Sequence, residues 1–161
     1  MSDKWKRKGY IDRKELKLPS EDMLQGNKIA IIECPQEIPC DPCREVCPVG
    51  AIEMENINSV PVVDEEKCTG CGICVRSCPG LAIYLLSYDQ GKAVITLPFE
   101  FEPLPQIGAK VQVTDRKGKS VCEGRVIRSD SVDNPFEETP VLEVEFPVKY
   151  AERARWIRRK K

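Results

Sequence analysis

The sequence predicts an α+β chain: a cysteine-rich half with an internal repeat, followed by a small antiparallel β-barrel-like domain. Three observations point to it. Eight of the nine cysteines lie between Cys34 and Cys78, in two runs that each end in Cys-Pro. Around each run the same order recurs: an apolar stretch, a cysteine loop, a short helical segment, Cys-Pro and another apolar stretch. Beyond Gly91 the cysteines cease apart from Cys122, and short β-rich runs alternate with turn residues. The division expected is a basic arm over 1–27, the cysteine domain over 28–88, the β domain over 92–149 and a basic tail over 150–161.

The arm carries Lys4, Lys6, Arg7, Lys8, Arg13, Lys14 and Lys17 around Trp5 and Tyr10. It reads as a docking arm or a frayed end, since no nucleic-acid module accompanies the charge. Pro19 to Asp22 is a break, and Ser20 can cap a short turn leading to Leu24. Lys28 to Glu33 is apolar and β-branched, a strand that delivers Cys34. Asp41 to Cys47 reads as a short helix stopped by Pro48. Ala51 to Glu55 and Val60 to Val63 read as strands around the turn at 56–59. Lys67 to Cys74 is the second cysteine loop, where Gly70 and Gly72 permit close backbone approach, and Cys74 to Cys78 is the second short helix. Ala82 to Leu86 is the last strand of this half.

In the β half the strands expected are Ala93 to Leu97, Lys110 to Thr114, Ser120 to Arg128 and Val141 to Phe146. Gly108, Gly118 and Gly124 suit its corners, with a bulge at Gly124. Cys122 reads as a small core hydrophobe. The tail sets Arg153, Arg155, Arg158, Arg159, Lys160 and Lys161 against Glu152, with weak helical spacing at Ala151, Ala154, Trp156 and Ile157. It is either a solvated charged end or a docking segment.

The chemistry lies in the cysteine runs. The second, Cys68-x2-Cys71-x2-Cys74-x3-Cys78-Pro79, has the bacterial iron–sulfur spacing without deviation. The first, Cys34-x5-Cys40-x2-Cys43-x3-Cys47-Pro48, follows it with the leading cysteine three residues early. A cubane cluster needs four converging thiolates. Three can come from one tight loop with cysteines three apart, and the fourth must come from elsewhere.

Both runs together resemble the bacterial ferredoxins that carry two [4Fe–4S] clusters, over roughly residues 27 to 88. The resemblance implies a ferredoxin-like two-cluster domain in which the cysteine before each proline ligates the other cluster. One cluster would take Cys34, Cys40, Cys43 and Cys78, the other Cys68, Cys71, Cys74 and Cys47. Val49, Ile52, Ile73, Val75, Leu81 and Ile83 are expected against the clusters, excluding water. Glu37 stands three before Cys40, where the pattern has cysteine. A three-residue insertion can bulge and still deliver Cys34, whose soft thiolate suits iron; Glu37 as an oxygen ligand, or a three-iron cluster, are the alternatives. Zinc and disulfides are the rival readings. Structural zinc sites use separated pairs rather than triplets ending in Cys-Pro, and with no secretory signal the thiols are expected reduced.

Composition narrows the function. There is no histidine, which excludes a Rieske centre and a histidine base. No Gly-x-Gly-x-x-Gly or phosphate-binding loop is present to hold FAD, NAD or ATP by those means. No apolar run approaches the ~20 residues that span a bilayer, so a cytoplasmic protein is expected. Ile31 to Glu66 holds nine acidic residues and one basic, Arg44, a face that steers a complementary partner or is simply solvated. The layout is similar to ferredoxin-like small subunits that accompany FAD-dependent dehydrogenases of amino acids or hydroxy acids. That resemblance implies a non-catalytic electron-transfer subunit with a flavoprotein partner. A free soluble ferredoxin and a nucleic-acid-binding protein with structural clusters are the alternatives; neither membrane nor nucleic acid is the expected partner. Cys71→Ser or Cys74→Ser is expected to abolish the second cluster, and Cys34→Ser to damage the first while leaving some iron, as read by iron and acid-labile sulfide per chain.

Overall fold

The computed structural model describes residues 4–132 and 139–159. β1 (Ile29–Ile32), β4 (Ile83–Asp89), β5 (Lys92–Pro98), β6 (Lys110–Thr114), β7 (Ser120–Asp130), β8 (Val141–Pro147) and β9 (Trp156–Arg159) form one seven-stranded sheet. Its order is β1-β4-β5-β8-β7-β6-β9, and every ladder is antiparallel. β2 (Ile52–Glu53) and β3 (Val62–Val63) pair separately. The helices α1 (Lys4–Lys8), α2 (Glu21–Leu24), α3 (Pro42–Glu45) and α4 (Ile73–Ser77) are each little more than a turn.

The two halves share this sheet. Asp89 faces Lys92, so Gln90 and Gly91 form a two-residue hairpin loop, both with positive φ. That is the turn geometry whose twist matches antiparallel strands. The boundary expected there is thus a hairpin inside one sheet. It also explains why the barrel expected over 92–149 does not close. Closure would need β6 to pair with the side of β5 away from β8, but β4 pairs there and β9 covers β6. The sheet stays open, with β1 and β9 as its edges.

The chain ends differ from their expectation as well. Residues 156–159 are a strand, not a solvated or helical tail: Val113 pairs with Ile157, and Ala151, Ala154 and Ile157 are buried. The remaining two lysines lie outside the described residues. At the other end α1 buries nothing, but Ile11, Leu16 and Leu24 are buried, and Ser20 caps α2 by accepting from the Met23 amide at 3.3 Å. Gly26 N–H donates to the Tyr88 carbonyl, tying the arm to β4.

Two apolar clusters result. The larger runs from Leu24 and Ile29 through Tyr84, Ile95, Leu97, Val113, Val126, Leu142 and Val144 to Ile157. The smaller gathers Ala30, Ile52, Val75, Ile83, Leu85 and Val141 around Cys43 and Cys74. Gly124 lies within β7 opposite Val111 rather than at a bulge; the register shifts fall at Val113/Thr114 and Val126/Arg128. A Cβ at Gly124 would stand 2.7 Å from Val144 Cγ1 and 2.8 Å from Val113 Cγ2. Both valines are buried in the larger cluster. Gly124→Ala is therefore expected to cost about 1–3 kcal/mol by overpacking, measurable as a lower urea midpoint.

Candidate metal centre

Each cysteine loop is set by a strand before it and a short helix within it. At the end of β1, Glu33 N–H donates to the Ala82 carbonyl at 2.8 Å, fixing the point where Cys34 leaves the sheet. Pro35, Pro39 and Pro42 restrict the loop that follows. Cys40 N–H donates to the Ile57 carbonyl at 3.1 Å, and Pro42 opens α3, which buries Cys43. In the second loop the Asp64 side chain accepts from the amides of Glu66 and Lys67, and Cys68 N–H donates to the Asp64 carbonyl. Gly70 packs against the backbone of Lys28, where a Cβ would meet the carbonyl oxygen at 2.3 Å. The close approach there is to β1. Gly72, left-handed at φ 81°, precedes α4, which buries Cys74.

Burial and neighbouring thiols raise three of the cysteines. Burial pushes the Cys43 thiol up to about 11, helped by charge on Cys78, Cys40 and Cys34. Burial pushes Cys74 up to about 12, helped by Cys68, Cys71 and Cys47, with Cys43 a further neighbour. Cys40 is likewise raised by burial, then by Cys34 and Cys78. Charge on Cys34, Cys40 and Cys78 thus bears on Cys43, charge on Cys68, Cys71, Cys47 and Cys43 bears on Cys74, and α3 packs on α4. Among the described residues no three Cys, Asp or Glu side chains close on a single-ion position.

Amides already point at two of the sulfurs. Ala51 N–H donates to Cys47 Sγ at 3.2 Å and Ala82 N–H to Cys78 Sγ at 3.4 Å, the same contact four residues beyond each Cys-Pro cysteine. Such donors stabilise a metal-bound thiolate. Of the apolar residues expected at the clusters, Ile52, Val75 and Ile83 are buried with the cysteines, whereas Val49 and Ile73 are exposed. Glu37 is exposed and lines a recess of about 790 Å³ with Glu53, Glu55 and Asn58 but no cysteine. Charge on Cys34 bears on Cys40 and Cys43.

Beside the first set lies a larger groove of about 1400 Å³. Cys34, Cys40 and Cys78 border it together with Arg116, Arg155 and Trp156. Glu33, Arg116, Arg155 and Tyr84 form a buried hydrogen-bonded group next to Cys34 that the sequence did not reveal. The arginines are 83 and 122 residues from Glu33, so no local spacing connects them. The one visible signal was an acidic residue ending an apolar strand.

Comparison with known proteins agrees with the cysteine chemistry. Residues 61–84 match the family described as the 4Fe-4S binding domain. An uncharacterized ferredoxin of Methanocaldococcus jannaschii is 39% identical over 35% of this chain and 36% of its own. The polyferredoxin-like subunit of the aliphatic sulfonate oxidoreductase of Pyrococcus furiosus is 41% identical over 30% of this chain and 26% of its own. One subunit of the ion-translocating oxidoreductase complex of Methanosarcina acetivorans is 46% identical over 30% of this chain and 17% of its own. The chain thus spans 36% or less of these relatives' length. No solved structure matches the chain at a significant level. Cys122 sits on β7 opposite Val113, packed against the larger apolar cluster, so Cys122→Ser is expected to leave iron and sulfide content unchanged. Residues 61–84 thus match a 4Fe-4S binding domain, and over about a third of its length the chain is similar to a ferredoxin.

Proposed function

We propose that this chain is the electron-transfer subunit of a larger oxidoreductase, relaying single electrons between a flavin site on a partner subunit and an acceptor. One [4Fe–4S] cluster would sit on Cys34, Cys40, Cys43 and Cys78, the second on Cys68, Cys71, Cys74 and Cys47. When bound, such clusters supply reversible one-electron chemistry. The observation that carries the reading is the match of residues 61–84 to a 4Fe-4S binding domain; charge on Cys78 bearing on Cys43, and charge on Cys47 bearing on Cys74, support the crossed sets. The chain's own residues do the rest. Val75, Ile52 and Ile83 are buried with Cys43 and Cys74, while the Ala51 and Ala82 amides donate to the sulfurs of Cys47 and Cys78.

A partner is supported by the relatives named as subunits of oxidoreductase complexes. A flavin is the natural converter between a two-electron substrate and a one-electron carrier, and this chain lacks the glycine motifs that would hold one itself.

The test has two readouts on anaerobically prepared, tagged protein from its native host. About eight irons and eight sulfides per chain, with coupled EPR signals after reduction, are expected from two cubane clusters. Co-elution with a flavin-containing polypeptide is expected at fixed stoichiometry. Elution as a flavin-free monomer would favour a free carrier, and zinc without sulfide would sink the electron-transfer reading.

A further inference from the structure

Glu33 sits directly before Cys34, and its side chain is only 8% exposed. Two arginines from the C-terminal half hold it. Arg116 Nε donates to Glu33 Oε1 at 2.9 Å, and Arg155 Nε donates to Oε2 at 3.0 Å. Their side chains are 7% and 13% exposed. Arg155 Nη2 also donates to the Leu81 carbonyl at 3.1 Å, three residues past Cys78. Arg116 Nη2 donates to the Tyr84 hydroxyl at 3.1 Å, and the Arg155 guanidinium lies 4.8 Å from the Tyr84 ring centroid. One guanidinium therefore bridges the segments that carry Cys34 and Cys78. Two buried cations face one carboxylate beside the first thiol set. Near the second set the cations are more exposed to screening water: Lys67, 52% exposed, lies between Asp64 and Glu53, and Arg76, 20% exposed, shares Asp130 with Arg128, 53% exposed.

Resting on the electron-transfer reading above, we infer that Arg116 and Arg155 are positioning residues for the first cluster, holding Cys34 through Glu33 and raising that cluster's reduction potential above the second's. Reduction adds negative charge, and a buried cation nearby favours it because little water screens the field. Arg155 adds a geometric role. It fastens the early cysteine of the irregular first run to the segment after Cys78, so the displaced Cys34 is held by the β half.

The experiment is an EPR-monitored redox titration of the full chain and four variants, with iron counted on each. Arg116→Gln and Arg155→Gln are expected to lower the first cluster's potential and leave the second in place. Glu33→Gln is expected to raise it, the opposite sign. Arg155→Lys keeps the charge and is expected to stay near the wild-type potential while losing iron faster to a chelator. Shifts of the same sign in the Arg and Glu variants, iron loss in all four, or no shift at all overturn the inference while wild type retains two clusters. A wild type without iron overturns the proposed function and this inference with it.

Discussion

Glu33 carries its charge inside the protein, one residue before a cysteine, and the groups that make this tolerable come from the far end of the chain. A buried ion pair is a poor source of net stability, but removing one partner costs about 3–5 kcal/mol, because the other charge is left behind without water. The β6–β7 turn that bears Arg116 and the segment before β9 that bears Arg155 are therefore tied to the end of β1. That tie joins the end of the edge strand β1 to the segment before the opposite edge strand, β9, as the β4–β5 hairpin joins the two halves within the sheet. A second seam does the same work near α4, where Arg76 reaches Asp130 and Lys28 reaches the buried Glu143.

The same edge must hold thiols that repel one another as soon as they ionise. Burial and neighbouring sulfur charge both keep Cys43 and Cys74 protonated at neutral pH in the absence of metal. Metal coordination reverses that preference by deprotonating the thiol outright. Folding and cluster binding are then linked. The small apolar cluster around Cys43, Cys74 and Val75 is made of the cysteines as much as of the hydrophobes. On the proposed ligand sets Cys47 and Cys78 each lie in one run and serve the other, which strengthens the link.

Local patterns were legible where the physics is local. The strands around both cysteine loops, the two short helices and the Ser20 cap follow from β-branched runs, proline stops and a hydroxyl before an acidic turn. Gln90-Gly91 was visible as a turn but not as a hairpin, because the same residues serve a linker or a loop until the flanking strands are known to pair. The tail misled because Ala151, Ala154 and Ile157 repeat at helical spacing, yet the free edge of β6 draws Trp156–Arg159 into a ladder. Barrel closure could not be judged from strand count alone, since it turns on which edge of β5 is already taken. Glu33 stayed hidden for a related reason: its partners are distant in sequence, and buried arginines look like any other charges in a basic tail.

A relay has to let electrons in at one place and out at another, and the two thiol sets meet solvent in different ways. Cys34, Cys40 and Cys78 border a broad groove walled by aromatic rings and arginines. In the second set Cys71 is itself exposed, beside the Asp64–Lys67 turn. α3 and α4, which carry the buried Cys43 and Cys74, pack on each other. The β half builds one wall of the groove, through Arg116, Trp156 and the strand that follows it. On the proposed reading this is the reason the chain continues past its cysteines: the added strands shape the approach to one cluster and leave the approach to the other open.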